Sequence, residues 1–156
     1  MFEPIGFIHL GHALAHEAER AREQSRAARV RAAYGRLYYG LFLIVRDALV
    51  SRHRVASREV RHGALSDHLQ HSNLADEVRS LGREMQRLYA LRQKADYELA
   101  PRAPWDKQLV DVGLAQLLSR RALEFANSVQ HFDFTPIIHL FDPRRLTGGG
   151  PEGELQ

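Results

Sequence analysis

The chain has no cysteine. Disulfide bonds, thiolate metal sites and cysteine nucleophiles are therefore excluded, and the composition is compatible with a reducing compartment. No serine stands in a GxSxG turn, and no glycine-rich stretch is followed by the lysine and helix of a phosphate-binding loop. The sequence therefore gives no support to serine catalysis or to a phosphate loop.

Long hydrophobic runs are also missing. The longest nearly apolar run, 37–45, is nine residues long, which is about half of a bilayer-spanning helix. The first ten residues have no basic region, and they carry Glu3 and Pro4 where a secretory signal would be apolar. We therefore expect a soluble, cytoplasmic protein with no membrane partner.

Proline is absent between Pro4 and Pro101, and the apolar residues in this interval follow helical spacing. From Val30 and again from Leu74, they recur in alternating steps of four and three. With 156 residues, the chain is the size of one domain. We predict an all-α, up-and-down bundle of four to five helices, at 5–22, 25–51, 58–71, 74–99 and 106–131.

The predicted helices have candidate signals at their ends. Asn73 is a candidate N-cap for the fourth helix, and Asp106 for the fifth. The prolines at 101 and 104 predict a break between these two helices. We assign residues 1–131 to a single helical domain, and 132–156 to an extended, partly apolar arm followed by a flexible glycine-rich tail.

The second predicted helix is apolar on nearly all sides, since only Arg46 and Asp47 are charged between 37 and 50. Such a helix must be covered on more than one side. It is therefore either the central helix of a bundle or half of a subunit interface, and we favour a homodimer or a stable partner complex. The aromatic stripe along this helix is more typical of core or dimer packing than of base stacking; it consists of Tyr34, Tyr38 and Phe42.

Positive charge is concentrated in one part of the chain. Residues 20–62 contain eleven arginines and three acidic residues, a local balance of +8 within a total of +3. A planar guanidinium group can bind phosphate through two hydrogen bonds. This stretch is therefore either a phosphate-binding surface or a solvated basic face.

Three histidines, His9, His12 and His16, share one face of the first predicted helix. Neutral imidazoles at this spacing suit zinc. However, the chain has no HExxH motif, and no carboxylate stands at a recognisable spacing to complete a site. We therefore predict no metal site and no cofactor.

Three segments carry a family resemblance. They read RLYYGLF from Arg36 to Phe42, RHGAL from Arg61 to Leu65, and LYALRQKADYEL from Leu88 to Leu99. In this order and at these separations, they resemble the HEPN family of small prokaryotic helical proteins over about residues 8–131. The resemblance implies a HEPN-like helical bundle that forms a homodimer.

Many HEPN proteins are metal-independent endoribonucleases, in which an arginine and a nearby histidine of each subunit meet in a shared cleft. The matching arginine here is Arg92, and Tyr97 stands where that histidine is expected. The resemblance thus implies catalytic roles for Arg92 as a phosphate clamp, for Tyr97 or His62 as proton carriers, and for Asp96 beside them. The alternative is structural: Arg92 and Asp96 form an ion pair across one helical turn, and Tyr97 is a packing residue.

We also expect nucleic-acid contacts from Arg36, Arg58 and Arg61. Arg36 precedes the tyrosine pair on a helix that we expect to be otherwise buried, so its charge should have a partner. It either points into the same cleft as Arg92 or neutralises a carboxylate such as Asp96.

The resemblance also implies a biological setting. We expect an RNA-directed HEPN protein of a toxin–antitoxin or phage-defence system, with metal-independent endoribonuclease activity as the leading candidate. The alternative is a catalytically silent HEPN module that binds nucleic acid or another subunit of a defence complex. A nucleotidyltransferase antitoxin is a candidate partner, and Tyr97 would then be the residue to which AMP is attached.

Overall fold

The computed structural model describes residues 3–97 and 104–142, and every regular element within these ranges is helical. The prediction of an all-α fold is therefore confirmed. The α-helices are α1 (Ile5–Ala18), α2 (Glu23–His53), α3 (Ala64–Leu69), α4 (Asp76–Tyr97) and α5 (Val112–Ser128). Short 3-10 helices cover Ser57–Glu59, Pro104–Val110, Val129–His131 and Thr135–Phe141.

The centre of the bundle is α2, which packs against α1, α4 and α5. Its apolar residues are buried on several sides within one chain, among them Leu37, Leu41, Val45 and Leu49. Of the two arrangements expected for this helix, the structure therefore has the central one. Dimerisation stays a prediction.

Two glycines allow α1 and α2 to approach closely. A Cβ atom on Gly40 would lie 2.5 Å from Ile8 Cδ1, and one on Gly11 would lie 2.7 Å from Leu37 Cδ2. As the residue number rises along α1, the facing residue number falls along α2, so the two helices are antiparallel.

The pair α2 and α4 is antiparallel as well. The rings of Tyr38 and Tyr89 are 5.1 Å apart, and Arg31 Nη2 donates a hydrogen bond to the Ala95 carbonyl at 2.5 Å. The first half of α2 therefore lies beside the second half of α4. This arrangement brings together the two segments that carry the strongest part of the family resemblance.

The prediction of a single helix at 58–71 is wrong. A 3-10 helix covers Ser57–Glu59 and α3 begins only at Ala64. Between them Gly63 has a φ of +82°, a conformation that glycine adopts readily and other residues avoid. The chain therefore turns at Gly63 and cannot continue as one helix.

Both predicted helix caps are also wrong. The fourth helix starts at Asp76, so Asn73 lies before its N-cap position. Asp106 lies within the 3-10 helix Pro104–Val110. The cap of α5 is Asp111, whose Oδ1 accepts a hydrogen bond from the Leu114 N–H at 3.0 Å.

The arm predicted as extended from residue 132 folds back onto the bundle. Thr135–Phe141 is a 3-10 helix, and Phe134, Ile137 and Phe141 are buried in the same core as the α-helices. Burial of these three side chains compensates for the ordering of the segment. Residues 143–156, which include the predicted glycine-rich tail, and 98–103, which include most of the predicted break, lie outside the described residues.

None of the helices in the described ranges is long and apolar enough to cross a bilayer.

Candidate nucleic-acid interface

A cleft of about 450 Å³ lies between α2 and α4, with the start of α1 at one side. It is polar and basic, because three arginines and one carboxylate reach its wall from the part of the chain that the structure describes. The residues that line it are Phe7, Arg31, Ala32, Gly35, Arg36, Tyr39, Arg92 and Asp96. The structure thus brings together three residues singled out in the sequence: Arg36, Arg92 and Asp96.

Arg92 has two contacts in this cleft. Its Nε atom lies 3.5 Å from Asp96 Oδ2, an i,i+4 pair on α4, and its Cζ atom lies 5.6 Å from the centre of the Tyr38 ring. The aromatic contact holds the guanidinium group over a ring face. Because the Asp96 side chain is 54 % exposed, the ion pair is weak and an incoming anion can compete for Arg92.

Arg36 is exposed and lines the cleft beside Arg92. Within the described ranges, no carboxylate lies at ion-pair distance from it, and the partner of Asp96 is Arg92. Of the two roles considered for Arg36, the structure therefore has the one in which it points into the cleft.

His62 reaches the same region from the turn that Gly63 forms. Its Nδ1 atom lies 2.8 Å from Tyr38 Oη, and its ring stacks on Phe42 with 3.8 Å between the ring centres. Burial lowers the pKa of His62, and the positive charges of Arg92 and Arg46 lower it further. The imidazole is therefore neutral at pH 7.

Tyr38 joins His62 to Arg92, since one contacts its hydroxyl group and the other its ring face. Burial raises the pKa of Tyr38, and Tyr89 adds to this effect, so the hydroxyl keeps its proton. A buried O–H group needs an acceptor, and His62 Nδ1 is the acceptor within reach. This assigns the proton of neutral His62 to Nε2.

The role of Tyr38 was missed in the sequence, where its spacing predicted packing alone. The packing is real, because Tyr38 is only 2 % exposed. The signal that could have revealed the second role is chemical. A tyrosine in the apolar stretch of a helix must still find a hydrogen-bond partner for its hydroxyl group.

Arg58 and Arg61 do not line the cleft. Both flank Glu59, with Arg58 Nε 3.6 Å from Oε1 and Arg61 Nη2 3.9 Å from Oε2. Their side chains are 80 % and 68 % exposed. They form a separate basic surface on the turn that carries His62.

Tyr97 is the last residue of α4, and its side chain lies outside the described part of the structure.

The three histidines of α1 do not form a three-ligand metal site. No group of three histidine, aspartate or glutamate residues in the described ranges is placed to hold a metal ion. His12 instead contacts Ser119 of α5, with 3.1 Å between Nδ1 and Oγ, and His16 Nδ1 lies 2.9 Å from the carbonyl oxygen of His12.

Comparison of the chain with models of protein families, with curated proteins and with solved structures finds no match.

Proposed function

We propose that this protein is RNA-directed and that the cleft between α2 and α4 binds the phosphodiester backbone. The observation that carries the proposal is the presence of two guanidinium groups, Arg36 and Arg92, in one cleft where Asp96 is the one competing carboxylate among the described residues. A phosphate would replace the weakly held Asp96 as the partner of Arg92. Arg36 would then supply a second charge-assisted hydrogen bond.

The neighbouring groups suit a nucleic acid better than a small anion. Tyr39 is 37 % exposed and lines the cleft, so a base can stack on its ring. Next to it, His62 offers its Nε2–H group as a further donor to phosphate; the centres of the two rings are 6.0 Å apart. Cation, aromatic face and neutral donor together match a single-stranded RNA.

A salt-dependent binding measurement tests this proposal. A fluorescently labelled single-stranded RNA is titrated with wild type, Arg36→Gln and Arg92→Gln at several salt concentrations. Each substitution should weaken binding and reduce the slope of log K against log salt by about one, because one phosphate contact is lost.

Arg83→Gln is the matched control, since Arg83 is an exposed arginine on the same helix, α4, outside the cleft. It should leave the slope within error of wild type. The same affinity for wild type, Arg36→Gln and Arg92→Gln would refute the proposed binding site.

A second candidate function is metal-independent cleavage of the bound RNA. The observation that favours it is the contact of both His62 and Arg92 with Tyr38. Arg92 would stabilise the charge that develops on the phosphate. His62 has its pKa lowered below its ordinary value, so at neutral pH its ring is in the unprotonated form that takes up a proton.

The state of His62 argues for the catalytically silent alternative. A base for the 2′-hydroxyl needs a free lone pair, whereas the lone pair of Nδ1 is occupied by Tyr38 and Nε2 holds the proton. One chain therefore supplies a phosphate clamp with one proton carrier. A second carrier would have to come from Tyr97 or from a second copy of the chain, as the HEPN resemblance implies.

An RNA cleavage assay in EDTA separates these two functions. Shortened RNA with wild type and intact RNA with Arg92→Ala would assign metal-independent cleavage to this cleft. Intact RNA with both proteins, together with salt-dependent binding by wild type, would leave a silent RNA-binding module.

We place this activity in a toxin–antitoxin or phage-defence system, on the strength of the HEPN resemblance. The expected partners are a second copy of the chain, bound through α2 and the Arg92 region, and a nucleotidyltransferase antitoxin. Light scattering tests the first. Mass spectrometry after co-expression tests the second, because attachment of AMP to Tyr97 would add the mass of one or more AMP units.

A further inference from the structure

The orientation of His12 is fixed by a hydrogen-bond chain between α1 and α5. Ser119 is fully buried, and its Oγ atom lies 2.8 Å from the carbonyl oxygen of Gln116. A carbonyl oxygen only accepts hydrogen bonds, so the serine proton points to Gln116. In the contact of 3.1 Å with Ser119 Oγ, His12 Nδ1 must therefore be the donor.

His16 has the same tautomer for a similar reason. Its Nδ1 atom lies 2.9 Å from the carbonyl oxygen of His12, so Nδ1 carries a proton and donates it. Both histidines thus keep the Nδ1 hydrogen and leave the Nε2 lone pair free. Burial lowers the pKa of His12, and His16, His9 and Arg120 act in the same direction.

The two rings are also adjacent. They are four residues apart on α1, and 4.1 Å separates the ring centres. Since His16 is exposed and His12 is half-buried, an ion from solvent can reach both. Histidine ligands typically donate the second ring N–H to a fixed acceptor, which orients the ring for the metal. Here Ser119 and the His12 carbonyl are such acceptors.

We propose that His12 and His16 form a two-imidazole chelate for a borderline divalent transition metal. Imidazole nitrogen favours Cu²⁺ over Ni²⁺ and Zn²⁺, whereas hard cations such as Mg²⁺ prefer oxygen ligands. Because no third ligand is placed within the described ranges, water completes the coordination. The site is independent of the RNA cleft.

One nearby charge limits the affinity. Arg120 of α5 is exposed and is close enough to lower the pKa of His12, so it also repels a divalent cation. Removal of this charge should strengthen metal binding. Arg120→Gln should raise the affinity for the metal ion, whereas removal of a histidine ligand should lower it, so Arg120→Gln is an independent test of the site.

The experiment is a titration of the full chain with Cu²⁺, followed by calorimetry and by pulsed electron paramagnetic resonance, which counts imidazole ligands. Wild type should bind one strong equivalent through two imidazoles and show no heat with Mg²⁺. His12→Asn keeps a donor for Ser119 but loses Nε2, and His16→Asn alters only an exposed side chain. Each should weaken Cu²⁺ binding at least tenfold, and Arg120→Gln should tighten it severalfold.

His9→Asn is the matched control, one turn earlier on the same helix, and it should bind Cu²⁺ within about twofold of wild type. If His12→Asn unfolds, as circular dichroism would reveal, His16→Asn decides the question alone. Unchanged affinity in His16→Asn, or a loss in His9→Asn as large as in His16→Asn, would overturn the proposed pair.

Discussion

His62 and His12 are both held through Nδ1 by a hydroxyl group of another helix, but their surroundings differ in charge and in hydrogen-bond direction. His62 accepts from Tyr38 and lies near Arg92 and Arg46. His12 donates to Ser119 and lies against His16. At His62, the Nε2–H group lies among positive charges and can bind an anion. At His12, the Nε2 lone pair lies beside that of His16, and the two can bind a cation.

The comparison shows that the hydroxyl group hydrogen-bonded to Nδ1 determines the chemistry of an imidazole as much as the nearby charges do. A phenol that donates to Nδ1 leaves the proton on Nε2. A serine hydroxyl that already donates its proton to a carbonyl oxygen can only accept from Nδ1, and the lone pair of the imidazole is then on Nε2. Five predictions test this contrast, in decreasing order of expected effect.

A change of pH should move the two sites in opposite directions. The pKa of both His62 and His12 lies below the ordinary value of about 6.5, so both rings gain a proton only as the pH falls below that value. Protonated His62 adds positive charge, so RNA binding should strengthen severalfold as the pH falls through the lowered pKa of His62. Cu²⁺ competes with protons for the two imidazoles of its site, so its affinity should fall as the pH falls. Parallel titrations check this, and RNA binding that weakens as pH falls would contradict it.

The free energy of unfolding should depend on pH because the pKa values of His62 and His12 are lowered in the folded state. Between the folded pKa values and about 6.5, the unfolded chain binds more protons than the folded chain, so the free energy of unfolding increases with pH across this interval. The folded state, in which the rings of His62 and His12 are buried and neutral, is therefore more stable above this pH interval than below it.

Gly63→Ala should disrupt the contact between Tyr38 and His62 and leave the His12–His16 pair unchanged. The φ of +82° at this position costs a residue with a side chain about 1–3 kcal/mol, although a Cβ would make only ordinary contacts with Tyr89, starting at 3.8 Å. Chemical denaturation should show this loss, and the Tyr38–His62 hydrogen bond should weaken. Cu²⁺ binding to the His12 pair should not change.

Gly35→Ala is the matched control for Gly63→Ala. Gly35 lies within α2, and a Cβ there would approach only Arg92 Cγ, at 4.0 Å. Alanine should stabilise this helix by about 0.5–1 kcal/mol. Equal destabilisation by both substitutions would show that the conformation of Gly63 is not what holds His62.

Removal of the two hydroxyl anchors should shift the two pKa values in opposite directions. Tyr38→Phe removes a donor that favours the neutral His62 ring, so the pKa of His62 should rise. Ser119→Ala removes an acceptor that favours a protonated Nδ1, so the pKa of His12 should fall further. Each substitution should also cost about 1 kcal/mol of stability through the lost hydrogen bond. Nitrogen chemical shifts of the rings, followed with pH, report both the tautomers and the pKa values, and shifts of equal sign would contradict the assigned donors.

Asp96→Asn should have the smallest effect. Its ion pair with Arg92 is half-exposed and contributes about 0.2–1 kcal/mol, so its removal should tighten RNA binding by about twofold to fivefold. The affinity for Cu²⁺ should stay unchanged. Weaker RNA binding by Asp96→Asn would mean that Asp96 helps to hold the ligand rather than competing with it.

The sequence predicted the long helices well because their apolar spacing repeats over many turns, as in α2 and α4. It failed where one residue decides the path of the chain. The turn at Gly63 depends on a single positive φ. In the last segment, the buried residues Phe134, Ile137 and Phe141 recur in steps of three and four, but the pattern extends over too few turns to predict a helix.

The candidate cleft was predicted in part. Arg36, Arg92 and Asp96 meet because α2 and α4 are antiparallel, whereas no periodicity distinguishes Tyr38, a residue with two roles, from any other core aromatic. The tautomers could not be read from sequence at all. They depend on contacts such as that of His12 with a serine 107 residues away.

This last contact also has a consequence for the order in which the molecule assembles during synthesis. The hairpin of α1 and α2 needs only neighbouring sequence, and its glycine contacts can form early. Ser119 emerges from the ribosome much later, so His12 has no anchor while the first two helices are already in place. On the nascent chain the histidine face of α1 is therefore a loose set of imidazoles, and it becomes an oriented pair only when α5 docks and closes the bundle.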